Sequence, residues 1–334
     1  MIDQKYAPKI EGLRFRRFKD DSDFGLMSRI GEKSWEADGV EWMRTKDEIE
    51  SEFRFEPDRD PKRDLVFVEL KKETIGYGQI STSMKDPQTR ICFQQAHLLP
   101  EWRGRGIREA ILRSNEEEHL ARARKNPARC NFFETWVKDD PNDWRTIVLA
   151  NGYLPSWHVL EMVRPELNDV IDYPLPAGLE VKPVPPDMYH AVWDAMKVAY
   201  SDQPSCSEEK YNEDSYKQWL SSPEFCPDMW VVAWDNDKIV GTVQNYIDDE
   251  ENMAFKHKRG HTERIFVDSS WQNKGVAKAL ISKSLKLLWS KGMEEAILDV
   301  DIAEAQKSVA LQLYGKMGYK VINQFTFCRK PFSV

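Results

Sequence analysis

Residues 271–277 read W-Q-N-K-G-V-A, a composition and spacing that suit the capture of an anion. The apolar run TERIFVD (262–268) precedes them and a long amphipathic stretch follows, so Gly275 falls in a short loop between a strand and a helix. Backbone N–H groups of such a loop and of the first helical turn converge on one place, and the helix dipole favours negative charge there. Glycine and alanine keep Cβ atoms out of the way. On spacing alone, Q-x-x-G-x-A also reads as an ordinary surface turn. Other chemistries find no support. Cys92, Cys130, Cys206, Cys226 and Cys328 form no C-x-x-C pair, which suggests reduced thiols, and the six histidines show neither H-x-x-x-H nor H-E-x-x-H spacing. A metal site is therefore not expected, and no G-x-S-x-G or Cys/His setting points to a covalent nucleophile.

The elements that must hold this loop can be read from periodicity. Glu263, Ile265 and Val267 alternate along 262–268, which predicts a strand with these three on one face. Val276, Leu280, Ile281, Leu285 and Leu288 form a helical stripe over 275–292, closed by Lys291 and Gly292. AILDVDI (296–302) is a strand, SVALQLYGKM (308–317) a helix ended by Gly318, and YKVINQFTFCRK (319–330) one or more strands. Helical stretches are expected at 187–200 and 208–221, where Trp193, Tyr200, Tyr211, Tyr216 and Trp219 read as core, or as the lining of an aromatic pocket.

The same order occurs twice. GLRFRRF at Gly12 matches GLEVKPV at Gly178, and LVFVELKKETIGYGQI (65–80) resembles MWVVAWDNDKIVGTVQ (229–244). WRGRGI (102–107) matches WQNKGV (271–276), and NGY (151–153) matches MGY (317–319). With Gly76 set on Gly241 in the second pair, the offsets lie between 165 and 169, close to half of 334 residues. Two copies of one domain follow, residues 1–165 and 178–334, joined by RPELNDVIDYPLPAG (164–178), rich in Pro and poor in periodicity. Each copy reads as α+β, a mixed, mostly antiparallel sheet flanked by helices.

The order strand, Q-x-x-G-x-A, long helix, strand, A-L-Q-L-Y-G-K-M-G-Y (310–319) resembles the GCN5-related N-acetyltransferase (GNAT) family. Nearly the whole chain looks like a tandem member, in a two-domain arrangement like that of mycothiol synthase. The resemblance implies acetyl-CoA as cosubstrate and no metal. Gln272, Asn273, Lys274, Gly275, Val276 and Ala277 would wrap its pyrophosphate, and the backbone of Ile265, Phe266 and Val267 would pair with the pantetheine arm like an added strand. Tyr314 would protonate the departing thiolate. Without the resemblance, Tyr314 beside Ala310, Leu313 and Met317 reads as a core residue. Where the family often carries Asn, this chain has Lys307. Because an alkylamine with a pKa of about 10.4 is protonated at neutral pH, a base is expected. Glu263 is the candidate, with Asp299 and Asp301 as alternatives, or it is a solvated strand-end charge. KHKRGH (256–261) reads as a solvated loop, or as a segment that gates the substrate or touches the 3′-phosphate of CoA.

The repeat distinguishes the halves. Arg108 replaces the small residue that closes the motif, Val148 stands at the position of Tyr314, and Gln94 at that of Glu263. The expectation is a degenerate first half that shapes the acceptor cleft, with or without idle binding of CoA, and a catalytic second half transferring acetyl directly to a primary amine of a small molecule. A protein N-acetyltransferase and a non-catalytic CoA-binding regulatory protein are the alternatives. The net charge of −8, from 48 Lys and Arg against 56 Asp and Glu, argues against nucleic acid and mildly favours cationic acceptors. No apolar run reaches membrane-spanning length and the first residues carry no apolar leader, so neither membrane nor secretion is expected. A cytoplasmic monomer or homodimer is the resulting expectation.

Overall fold

In each half an apolar run, a polar turn and a second apolar run fold as an antiparallel hairpin, and the later strands and helices assemble around it. The structure is a computed structural model that describes residues 6–55, 59–126, 128–201, 206, 211–303 and 309–334. It divides into two compact units, one built on Met1–Trp157 with Phe325–Val334, the other on His158–Cys206 and Lys210–Gln324.

The first unit runs β1 (Leu13–Arg17), α1 (Ser22–Ala37), α2 (Lys46–Phe55), α3 (Pro61–Asp64), β2 (Leu65–Leu70), β3 (Glu73–Asp86), β4 (Thr89–Leu98), α4 (Ile107–Ala123), β5 (Cys130–Lys138) and α5 (Asp143–Ala150). Then β6 (Leu154–Arg164) leads into the second unit: β7 (Glu180–Val181), α6 (Tyr189–Tyr200), α7 (Glu213–Ser221), β8 (Val231–Asp235), β9 (Lys238–Tyr246), α8 (Asp249–Phe255), β10 (Arg259–Val267), α9 (Val276–Ser290), β11 (Glu295–Ala303), α10 (Val309–Lys316) and β12 (Lys320–Pro331).

Both units are α+β with mostly antiparallel pairing. The first orders its strands β1-β2-β3-β4-β5, and the second β7-β8-β9-β10-β11 with β6 beside β11. The parallel pair is the same in each repeat, β4 with β5 and β10 with β11. The last strand is divided: from Phe325 to Pro331, β12 pairs antiparallel with β5 and completes the first unit's sheet.

Helix α9 forms where the stripe lies. Leu280, Ile281, Leu285 and Leu288 are fully buried against the sheet, and Val276 nearly so. Burial of such side chains stabilises by about 1.5–3 kcal/mol each. Two glycines permit the approach: a Cβ at Gly260 would stand 2.4 Å from Leu288 Cδ2, and one at Gly241 2.9 Å from Phe266 O. The helix stops at Lys291, with Gly292 in the left-handed region at φ +88°. Over 256–261 the expectation of a solvated loop fails, because Arg259, Gly260 and His261 already belong to β10. Arg259 is buried, its Nε 2.8 Å from Glu295.

Candidate active site

Strands β10 and β11 run side by side only from Arg259–Glu295 to His261–Ile297, after which no pairing between them is present. Phe266 and Val267 therefore pair with β9, while the Ile265–Val267 backbone has no pairing with β11 among the described residues, an edge an extended ligand could join. Within this stretch Glu263 pairs with Gln244 and Phe266 with Thr242, so β10 holds one residue more than β9 and bulges. Arg264 takes up the extra length at φ +48°, a conformation that costs an arginine about 1 kcal/mol. Its guanidinium is anchored 3.1 Å from Glu224.

The bulge corrects the one-face reading of Glu263, Ile265 and Val267. Phe266 packs in the aromatic cluster under α6 and α7, whereas Ile265 and Val267 pack against the α9 cluster. Glu263 stands with Gln244, whose Nε2 lies 3.3 Å from Met196 Sδ of α6, and so shares the α6 side with Phe266. One inserted residue turns the base candidate to the opposite face from its two sequence companions.

After β10 the chain turns on Asp268, which accepts from Ser270 N and is held at a pKa of about 2, first by Lys238 at 2.8 Å and then by Ser270. Gln272, Asn273, Lys274 and Gly275 are exposed. Asn273 (φ +60°) and Gly275 (φ +88°) both adopt left-handed conformations, and a Cβ at Gly275 would meet nothing within 4 Å. Gln272 Nε2 donates to Val267 O at 3.2 Å, and Lys274 Nζ lies 4.8 Å from the Trp271 ring centre. The first amide of α9 to bond back is Ala279, to Gly275 O at 3.1 Å, so Val276, Ala277 and Lys278 present free N–H groups at an open helix start. This fits an anion the size of a pyrophosphate: convergent donors, no side chain in the way, and Lys274 and Lys278 nearby.

Tyr314 lies on α10, its ring buried and tilted 62° against Tyr319 at 5.9 Å. No group among the described residues hydrogen-bonds its hydroxyl. Burial raises its pKa above that of a free phenol, and Glu263 adds to the rise, so the proton stays on at neutral pH. Burial also raises the half-buried Glu263 carboxyl. Glu224 and Asp301 push the same way, against Arg264 and His261. Tyr200 of α6 joins them, raised by burial and then by Tyr314, Tyr211 and Glu263. A protonated phenol and a carboxyl of raised pKa are thus within electrostatic reach of one another, the combination of acid and base that amine acylation needs. Lys307 lies outside the described residues. Trp193 and Trp219 are buried in the aromatic cluster and Tyr216 packs on it, so these are core.

Sequence reasoning offered Tyr200 as core or as the lining of an aromatic pocket, and it missed Gln244, Arg264 and Glu224. The period-two pattern carried no sign of the bulge. Only the pairing of β10 with β9 reveals which side chains meet.

The first unit has the same parts in other states. Arg105 covers Trp102 as Lys274 covers Trp271, and Ala110 N bonds Gly106 O at 3.0 Å. Arg108, however, turns inward and is buried. Its Nε donates to Ala96 O at 3.1 Å, its other nitrogens reach Asp38 at 3.0 Å and Asp143 at 3.4 Å, and it lies over Trp144. Arg103 joins Asp38 at 2.8 Å. Val148 and Gln94 are fully buried, and Gln94 donates to the hydroxyl of Tyr153, which donates to Glu116.

Comparison with known proteins bears on the fold that carries these residues. Residues 190–319 match the acetyltransferase (GNAT) family model. N-acetyltransferase 8 of Homo sapiens is 31% identical over 144 residues, 42% of this chain and 59% of that protein. The N-alpha-acetyltransferase MAK3 of Arabidopsis thaliana is 28% identical over 93 residues, 28% of this chain and 45% of that protein. The chain thus spans about half the length of the curated relatives it matches. Among solved structures, a GCN5-related N-acetyltransferase from Sphaerobacter thermophilus superposes with a TM-score of 0.70 at 20% identity, covering 96% of both chains. A tandem GNAT protein from the clavulanic acid biosynthesis pathway superposes at 0.66 and 14% identity, covering 96% of this chain and 98% of that one. These likenesses show the fold, and over residues 190–319 the chain is similar to the acetyltransferase (GNAT) family.

Proposed function

We propose that the chain is an acetyl-CoA-dependent N-acetyltransferase whose second half moves an acetyl group directly to a primary amine of a small molecule. The observation that carries this reading is the open start of α9, with its free N–H groups, directly after a strand β10 that has parted from β11, and Glu263 lies within electrostatic reach of Tyr314. Bound acetyl-CoA supplies an acyl group activated as a thioester. The N–H groups of Val276, Ala277 and Lys278, with Gln272, Asn273, Lys274 and Gly275, hold its diphosphate, and the Ile265–Val267 backbone aligns the arm. Glu263 takes the proton that the amine must lose, directly or through water, because only the neutral amine is a nucleophile. Tyr314 gives a proton to the sulfur as the C–S bond breaks, and its raised pKa keeps the phenol a donor at neutral pH.

On this reading the first half, residues 1–165, is degenerate. Arg108 supports that division. Its guanidinium occupies Ala96 O, the counterpart of the Ile265 backbone, and two carboxylates fix it there. Residues 178–334 are the catalytic half.

A second reading, acetylation of a protein N-terminus, is favoured by the likeness to an N-alpha-acetyltransferase. Thiol release from acetyl-CoA, measured with a panel of small amines and peptides, separates these. Acceptor-dependent release that is lost in Glu263→Gln supports the proposal. Release with peptides alone supports the second reading. Tight CoA binding with no release for any acceptor indicates a regulatory CoA-binding protein.

A further inference from the structure

The α6 side of the second unit's sheet carries three carboxylates that are in no ion pair among the described residues. His261 and Ile297 are paired neighbours on β10 and β11, and residues two apart on a strand share a face, so Glu263 continues His261, while Asp299 and Asp301 continue Ile297. The three carboxyl groups therefore emerge on one face where the strands part. None of them makes an ion pair or a hydrogen bond among the described residues. The cations nearby are committed elsewhere, Arg264 to Glu224 at 3.1 Å and His261 to Glu251 at 3.2 Å. All three carboxylates keep access to solvent, with Asp299 exposed and Glu263 and Asp301 half-buried.

A second observation points the same way. Gln244, the register partner of Glu263, is 2% exposed, and its Oε1 has no partner among the described residues. A buried carbonyl oxygen left without a donor costs about 1–3 kcal/mol. It stands beside Glu263, where an N–H donor from an acceptor would satisfy it. Asp299 reports the strain electrostatically. Its carboxyl is pushed well above the usual range, first by the protein crowded round it and then by Glu263, Glu161 and Asp301. Since the side chain still meets solvent, a bound cation can relieve the repulsion.

We propose that the acceptor amine carries a second cationic nitrogen, which Asp299 and Asp301 hold while Glu263 and Gln244 receive the reacting one. This rests on the acetyltransferase reading and narrows its substrate to small molecules with two or more ammonium groups. A single amine leaves Asp299 and Asp301 unneutralised, and a peptide N-terminus brings its own carbonyl groups to an acidic face.

The test compares 1,4-diaminobutane with n-butylamine, which has the same carbon chain and one nitrogen, and with a tripeptide of free N-terminus. The readout is thiol release, with the CoA dissociation constant measured alongside. The expected result is a kcat/KM for the diamine at least 30-fold above that for butylamine, carried by KM. That ratio should fall at least 10-fold in Asp299→Asn with Asp301→Asn. In the unsubstituted enzyme the diamine KM should rise with salt more steeply than the butylamine KM, which keeps the test open if the variant fails to fold. Release with equal efficiency from butylamine and diamine, or a preference for the tripeptide, overturns the dicationic acceptor and leaves N-acetyl transfer standing. No release with any amine while CoA still binds overturns both.

Discussion

At the scale of single residues the account rests on Tyr314 and Glu263. Tyr314→Phe keeps the ring that packs against Tyr319 and removes only an unbonded hydroxyl, so the fold and the CoA dissociation constant should be unchanged. Turnover should fall about 100-fold, the usual scale of a lost general acid, in steady-state thiol release. Glu263 must be ionised to accept a proton. Its pKa is raised, so kcat/KM should decline on acidification at a pH above the ordinary carboxylate range, and Glu263→Gln should abolish that limb. The same shift sets the sign of the stability effect. A carboxyl whose pKa is higher folded than unfolded penalises the fold once pH rises through the folded value, and the penalty vanishes below the unfolded one. Glu263→Gln should therefore melt higher than the parent at pH 7 and equal to it near pH 4, as followed by thermal denaturation. A stabilised but inactive variant marks a residue kept for function.

At the scale of elements, α9 is the part that presents the anion site, and its seat is specific. Leu280→Ala should cost about 2–5 kcal/mol in denaturant unfolding, since the side chain is wholly enclosed. Gly260→Ala should also destabilise, by about 1–3 kcal/mol, because Leu288 must move aside. The helix was legible from its sequence: Val276, Leu280, Ile281, Leu285 and Leu288 carry the period, and Lys291 with Gly292 carry the stop. The bulge in β10 was not. Arg264 is an ordinary residue for a strand, and its left-handed backbone follows from pairing with β9, a long-range fact. The acidic face was legible only in part: Glu263, Asp299 and Asp301 were already base candidates, but Glu161 joins them only through the order of β6, β11 and β10.

At the scale of the whole molecule, the repeat was plain in the matching landmarks, and their offsets also identified where the first half differs from the second. Its consequence was less visible. Arg108 does not stand in an open phosphate site. It folds back on the strand edge at Ala96 O with Asp38 and Asp143. Nor did composition reveal that Phe325–Pro331 completes the sheet of the first unit. Arg108→Ala removes a buried guanidinium and leaves the half-buried Asp38 and Asp143 with fewer partners, and should destabilise by about 1–3 kcal/mol. The central claim is that the second half alone seats the coenzyme. The most direct measurement is a crystal structure with CoA bound. The account predicts one molecule per chain, its diphosphate on the N–H groups of Val276, Ala277 and Lys278 and its sulfur beside the Tyr314 hydroxyl. Coenzyme seated at Gly106 instead, or a sulfur remote from Tyr314, would contradict it.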